Sequence, residues 1–219
     1  MRWTPSDRAR PEGRRSLRLE GWDYAQEGTY FVTVCLQGRA SLFGEVVDAQ
    51  MQLNDGGRMV GEVWQRLGAR FPSAELGPSV VMPNHFHGLV ALAGGQDGAG
   101  TRPAPTRGPP LSLAVGAPLV GAQGTSGVAL GNVIGAFKSI STNEYARGVQ
   151  EDGWPPFHHR LWQRNYYEHI VRDQQALDRI TQYIETNPLR WHLDRENPDR
   201  QAEDDFDRWI KSSQGPVQP

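Results

Sequence analysis

What most narrows the fold of this chain is the order in which two kinds of apolar segment follow one another. Thr29-Tyr-Phe-Val-Thr-Val-Cys-Leu36 is β-branched and aromatic, the composition of a strand. A polar turn and a weaker strand over Ala40–Val47 follow. Asn54-Asp55-Gly56-Gly57 is turn chemistry with a helix cap in Asn54 or Asp55. Met59, Val60, Val63, Trp64 and Leu67 then recur at helical spacing and predict a helix to about Arg70. Ser79 to Leu92 reads as one apolar strand with polar groups in its middle. Leu130, Val133, Ile134, Phe137, Ile140 and Tyr145 mark a second helix. Tyr166 to Val171 predicts another strand, and Asp173 caps a third helix through Leu177, Ile180 and Ile184 to Asn187. Pro188 has no N–H to donate and stops regular helix there. This order predicts an α+β domain: a small antiparallel sheet with helices packed on one face, as in ferredoxin-like (RRM-like) folds.

Composition sets the limits around that domain. A chain of 219 residues holds one well-packed domain with tails. Residues 1–28 form a basic arm with Arg14, Arg15 and Arg18, which we expect to track a nucleic-acid backbone or minor groove. The domain proper spans 29–197. It is interrupted at about 93–127 by a Gly/Pro-rich stretch with too little apolar surface to order itself. Residues 198–219 are a charged tail in which Phe206, Trp209 and Ile210 suit one short docking helix. The net charge of −2 argues against indiscriminate coating of DNA. The single cysteine, Cys35, rules out an intramolecular disulfide and fits a reducing compartment. With no apolar run long enough to cross a bilayer and no secretory leader, the expected location is cytoplasmic.

Two constellations carry chemistry. In His85-Phe86-His87 the strand period puts both imidazoles on one face and the phenyl ring on the other, so the pair can converge on one divalent metal. The same pattern also fits a hydrogen-bonded histidine pair. Tyr183 and Asn187 lie four apart on a helix and share a face, so a nucleophilic phenol and an amide ligand can be presented together. They fit a half-buried ring and a helix terminator equally well. Taken together, two neutral imidazoles and an amide oxygen would leave Mg²⁺ or Mn²⁺ with its full charge and open positions. Such a centre could polarise a phosphodiester for attack by a phenol whose pKa near 10 makes it a poor nucleophile unaided. Attack would leave a 5′-phosphotyrosine and a free 3′-hydroxyl, a step that a second 3′-hydroxyl can reverse without ATP.

Val80-Val-Met-Pro-Asn-His-Phe-His-Gly88 resembles the signature of HUH single-tyrosine transposases. Leu161-Trp-Gln-Arg-Asn-Tyr-Tyr-Glu-His-Ile170, Tyr183-Ile-Glu-Thr-Asn-Pro188 and Gly135-Ala-Phe-Lys-Ser139 resemble further blocks of the REP-associated tyrosine transposase branch. The resemblance covers roughly residues 17 to 195, the insertion excepted. It implies a HUH endonuclease fold, metal binding by His85, His87 and Asn187, and Tyr183 as nucleophile. It further implies a single-stranded or hairpin DNA substrate of the repetitive extragenic palindrome kind, handled by a monomer or a homodimer. The long insertion is the departure from the family pattern, and it bears on loop contacts rather than on the reaction.

Within the sequence, Tyr166 and Tyr167 are rival nucleophiles, of which only one can share the histidine face of a strand. His158, His159 and His169 are a rival metal cluster, although adjacent histidines on an extended segment point oppositely. Lys138, Arg160 and Arg164, near Trp162, Tyr166 and Tyr167, mix cations with flat rings as single-stranded DNA sites do. Two other classes stay open: a catalytically silent hairpin-binding protein, and a His-X-His metalloenzyme unrelated to DNA, which would need a carboxylate ligand and a further histidine at suitable spacing.

Overall fold

A computed structural model describes residues 27–93 and 128–213. The arm with Arg14, Arg15 and Arg18, the insertion at 94–127 and residues 214–219 lie outside the described residues. Strand β1, Gly28–Cys35, occupies the interior of a four-stranded sheet. It pairs antiparallel with β5 (His85–Leu92) on one side and β6 (Tyr167–Val171) on the other, and β4 (Ala74–Met82) pairs antiparallel with β5. Helix α1 (Asp55–Arg70) connects β1 to β4, and α2 (Leu130–Glu151) connects β5 to β6. The resulting β-α-β-β-α-β path with order β4-β5-β1-β6 is the expected ferredoxin-like arrangement. A separate hairpin of β2 (Gly44–Val47) and β3 (Gln50–Leu53) stands between β1 and α1.

Two elements differ from the sequence reading, each for a local reason. The segment read as one strand over Ser79–Leu92 is a hairpin, β4 and β5, that reverses at Pro83-Asn84 and pairs Met82 with His85. Proline cannot donate to a ladder and asparagine tolerates turn geometry, so the dipeptide marks a reversal inside an otherwise apolar run. The strand read at Ala40–Val47 shortens to Gly44–Val47 and gains a partner in β3, whose Gln-Met-Gln-Leu sequence has little strand signal. The turn between them places Asp48 and Ala49 at φ 49° and 62°, as a two-residue type I′ turn requires.

The sheet is buried on both faces, which is why β1 reads as an unbroken apolar run. Tyr30, Val32 and Val34 face α1 and α2, where Phe86 meets Trp64 and Phe137 at centroid distances of 4.7 and 4.8 Å. Gly88 makes that packing possible: a Cβ there would lie 2.8 Å from the Trp64 ring. Phe31, Leu89 and Val171 face the other way, toward α3 (Gln174–Thr186) and α4 (Asp205–Ser213). So α1 and α2 share one face as expected, and α3 with the tail helix covers the opposite one. Asp173 caps α3 by accepting from the Ala176 N–H at 2.7 Å, and Leu177, Ile180 and Ile184 form its buried stripe. At Pro188 the chain tightens into a 3₁₀ turn, Pro188–Leu193, which sets Trp191 against His85.

Candidate active site

His85 and His87 project from the α3/α4 face of β5, while Phe86 enters the opposite core. Their Nε2 atoms stand 2.9 Å apart. The side chain of Asn84 donates to the Glu196 carbonyl at 2.8 Å, which leaves its Oδ1 to accept from His85 Nδ1 at 2.9 Å. That assignment puts the proton of His85 on Nδ1 and its lone pair on Nε2, facing His87. Thr33, directly opposite His87 on β1, holds His87 Nδ1 through a 2.9 Å hydrogen bond to Oγ1.

Tyr183 and Asn187 come to the same place from α3. The Tyr183 hydroxyl donates to Asp194 Oδ2 at 3.0 Å, and the Asn187 amide donates to the same oxygen at 2.9 Å. Asp194 Oδ2 also lies 3.8 Å from His85 Nε2 and 3.9 Å from His87 Nε2. One carboxylate oxygen therefore joins the strand-borne imidazoles to the helix-borne phenol and amide. None of these five side chains is more than 4% exposed. Trp191 stacks on His85, Phe31 on His87, and Phe206 of α4 lies flat on the Tyr183 ring at 3.6 Å.

This environment separates the protonation states. Burial holds the His85 imidazole down at about 3, so it is neutral and able to ligate. Burial would raise the Asp194 carboxyl, yet the two imidazoles and the Asn187 amide outweigh it and keep the acid well below its usual range. Burial, and then the Asp194 charge beside it, push the Tyr183 phenol well above its ordinary value.

The donor set fits a divalent cation. Ligands at about 2.1 Å in adjacent octahedral positions stand about 3 Å apart, the spacing of the two Nε2 atoms. His85, His87 and Asp194 offer ligand atoms that all lie within 4.8 Å of one another and could hold a metal ion. Asn187 Oδ1, buried and without a hydrogen-bond partner among the described residues, is the sort of acceptor that a cation would satisfy. Asp194 is the residue that sequence reasoning missed. It follows a 3₁₀ turn, in no recognisable spacing to the histidines, and no local pattern announces it. Asn84 and Thr33 were missed as well, although the turn signal of Pro83-Asn84 adjoins the histidines.

The remaining candidates are dispersed. Tyr167 does share the histidine face, opposite Thr33, but is exposed, with the Arg195 guanidinium 4.4 Å from its ring centre. Tyr166 is half-buried against the other core. His158 and His159 are exposed on the loop before β6, and His169 is buried 5.9 Å from Trp209, so the three form no metal cluster. Burial and the nearby Arg172 hold His169 down at about 4. Lys138 donates to the carbonyl oxygens of Gln163 and Arg164, and its ammonium thus anchors the loop instead of standing free for phosphate. Arg160 and Arg164 are exposed on that loop. Among the described residues no helix is long and apolar enough to cross a membrane.

No family model matches the chain. A protein of Haemophilus influenzae described only as uncharacterized is 36% identical over 182 residues, which cover 83% of this chain and 92% of the relative. Two solved structures show more distant likeness. One, described as a REP-associated tyrosine transposase bound to a REP hairpin, is 18% identical, with a TM-score of 0.46 over 76% of this chain and 69% of that one. The other, a Deinococcus radiodurans R1 protein provisionally described as a transposase, is 14% identical, with a TM-score of 0.40 over 77% and 95%. Likeness this distant does not bear on function, which the side chains of the site have to carry.

Proposed function

We propose that this chain, which belongs to the same family as the Haemophilus influenzae protein, is a metal-dependent DNA nuclease and strand transferase of the HUH single-tyrosine transposase type. The observation that carries the reading is the shared oxygen: the Tyr183 hydroxyl and both imidazoles meet at Asp194 Oδ2. His85, His87 and Asp194 would hold Mg²⁺ or Mn²⁺, with Asn187 as a further oxygen donor. Such an ion supplies charge to polarise a phosphodiester and to stabilise the departing 3′-oxygen.

The chain's own groups do the rest. Asn84 fixes the His85 ring with its Nε2 lone pair inward, and Thr33 holds the His87 ring beside it. Asp194 orients the phenol, whose proton already points at Oδ2. Tyr183 Oη attacks phosphorus, the P–O3′ bond breaks, the phenol proton ends on the departing 3′-oxygen to give a hydroxyl, and the 5′ end stays on the tyrosine. A 3′-hydroxyl attacking that phosphotyrosine restores the phenol and joins the strand. Because the cluster is buried, DNA would reach it once the side chains of Trp191 and Phe206 move off the rings while Asp194 keeps its place beside the imidazoles. The substrate class, single-stranded or hairpin DNA of the extragenic palindrome kind, rests on the motif resemblance and on the exposed cations Arg160 and Arg164. The arm residues Arg14, Arg15 and Arg18 belong to the same proposal as contacts to the hairpin backbone.

Two observations favour other readings. The Tyr183 ring is sealed under Phe206 and its phenol is hard to ionise, as befits a hairpin-binding protein without catalysis. Asp194 supplies the carboxylate that a two-histidine, one-carboxylate iron site would require. One experiment separates the three. A pool of labelled hairpins with single-stranded extensions is incubated with the protein and Mn²⁺ or Mg²⁺, then resolved under denaturing conditions. The expected result is a protein–DNA adduct that vanishes in Tyr183→Phe and with chelator. Binding without an adduct would identify the silent module, and absence of any DNA binding would turn attention to the iron reading.

A further inference from the structure

A cavity of about 560 Å³ opens between the end of β1 and the loop before β6. Its wall includes Gln37, His159, Arg160, Arg164, Asn165 and Tyr167, and among the described residues no Asp or Glu lines it. In a chain of net charge −2 that is a local reversal of sign. Arg39 and Arg195 nearby are both engaged by Glu196, whereas Arg160 and Arg164 make no ion pair among the described residues. The volume suits a small flat ligand, the guanidinium groups suit an anion, and the amides suit a hydrogen-bonding edge.

The cavity is also tied to the metal donors. The Gln37 N–H donates to the Leu161 carbonyl at 2.8 Å, and the Gln163 N–H to the Cys35 carbonyl at 2.9 Å. Cys35 is the register partner of His85. Lys138 holds the carbonyls of Gln163 and Arg164 from behind, so the loop is anchored where its side chains face the opening. Tyr167 belongs to both places. It lines the cavity, and it lies opposite Thr33, which holds His87.

We propose that this cavity seats one unpaired DNA nucleotide beside the phosphate that is cut, with its base on Tyr167 and its phosphate on Arg160 and Arg164. Gln37 and Asn165 read the base edge. The proposal rests on the nuclease reading above and adds a specificity site to it: the strand is registered by a single base held outside the hairpin. A base stacked on an aromatic ring and a phosphate on arginine is the general chemistry of single-strand recognition.

The test uses the full chain with Tyr183→Phe, so that binding is read without cleavage, and a hairpin selected by that chain from randomised stem-loops. Fluorescence anisotropy compares the hairpin alone with the hairpin bearing a single-stranded DNA extension, in which an abasic nucleotide is stepped along the strand. At one position the abasic nucleotide should weaken binding about tenfold, the effect of losing one stacked base. Combining Arg160→Ala, Arg164→Ala and Tyr167→Ala should erase that position dependence, so that the extended hairpin binds no more tightly than the bare one. These side chains are exposed, so the variant should fold, and its melting curve checks this. Equal losses for the bare and extended hairpins would overturn the nucleotide site while leaving the nuclease reading intact. Tighter binding of an RNA extension would overturn the assignment to DNA. Failure to select any hairpin would instead remove the nuclease reading itself.

Discussion

The two faces of the sheet are built from the same strands and do opposite things. On the α1/α2 face, Tyr30, Val32, Val34, Phe86 and Trp64 pack as an apolar core. On the α3/α4 face, Phe31 and Leu89 surround His85, His87, Tyr183, Asn187 and Asp194, which are equally buried and almost all polar. Alternation along β5 switches from one regime to the other between adjacent residues, with Phe86 in the first and His85 and His87 in the second. The lesson is that burial gathers apolar side chains on one face and ionisable ones on the other. The five polar side chains are kept dry by partners drawn from several elements, with Asn187 Oδ1 left as the acceptor that a cation would satisfy.

The largest expected effect falls on the second face alone. Tyr183→Phe should abolish the DNA adduct while removing one hydrogen bond, about 1 kcal/mol, from the fold. Denaturant melts beside the adduct assay check both halves. Phe86→Ala should do the converse, lowering stability by about 3–5 kcal/mol through the cavity it leaves against Trp64 and Phe137. Its metal binding at saturating Mn²⁺ should persist, since neither imidazole is touched. If Phe86→Ala lost metal affinity as completely as a histidine variant, the two faces would not be separable.

Metal comes next in size. Mn²⁺ should raise the melting temperature of the wild-type chain in a concentration-dependent way, because an ion that binds only the folded state stabilises it. Asp194→Asn should shrink that rise and His87→Ala should remove it. An unchanged rise in both would exclude the cluster as the site.

The smallest effect is a pH dependence. His85 and His169 are held at about 3 and about 4, below the 6.5 of a free imidazole. Between those values the unfolded chain binds more protons than the folded one, so stability rises with pH. In chelator-treated protein the contribution is complete above the free-imidazole value and is lost as pH falls toward the folded-state values. Melting temperature measured from about pH 7 down to about pH 4 should decline, and Phe86→Ala should show the same slope from a lower start. A flat profile in wild type would mean that the histidines are not held neutral by burial.

Much of this could be read along the chain. The faces of His85, Phe86 and His87 follow from the strand period, and the joint presentation of Tyr183 and Asn187 follows from the helical one. The caps at Asn54 and Asp173 and the stop at Pro188 are as legible. The reversal at Pro83-Asn84 had a local signal that the apolar run around it masked. β3 had almost none, because its alternating glutamines pair on a small hairpin outside the main sheet.

The sequence by itself determined the elements, their apolar faces and the residue types that can bind a cation and attack a phosphate, because those depend on periods of two and 3.6 within a short window. Only the tertiary structure decided that the imidazoles and the phenol meet, and that Asp194 stands between them. That carboxylate reaches the histidines after a 3₁₀ turn, and convergence of groups from separate elements is a property of packing that no local spacing encodes.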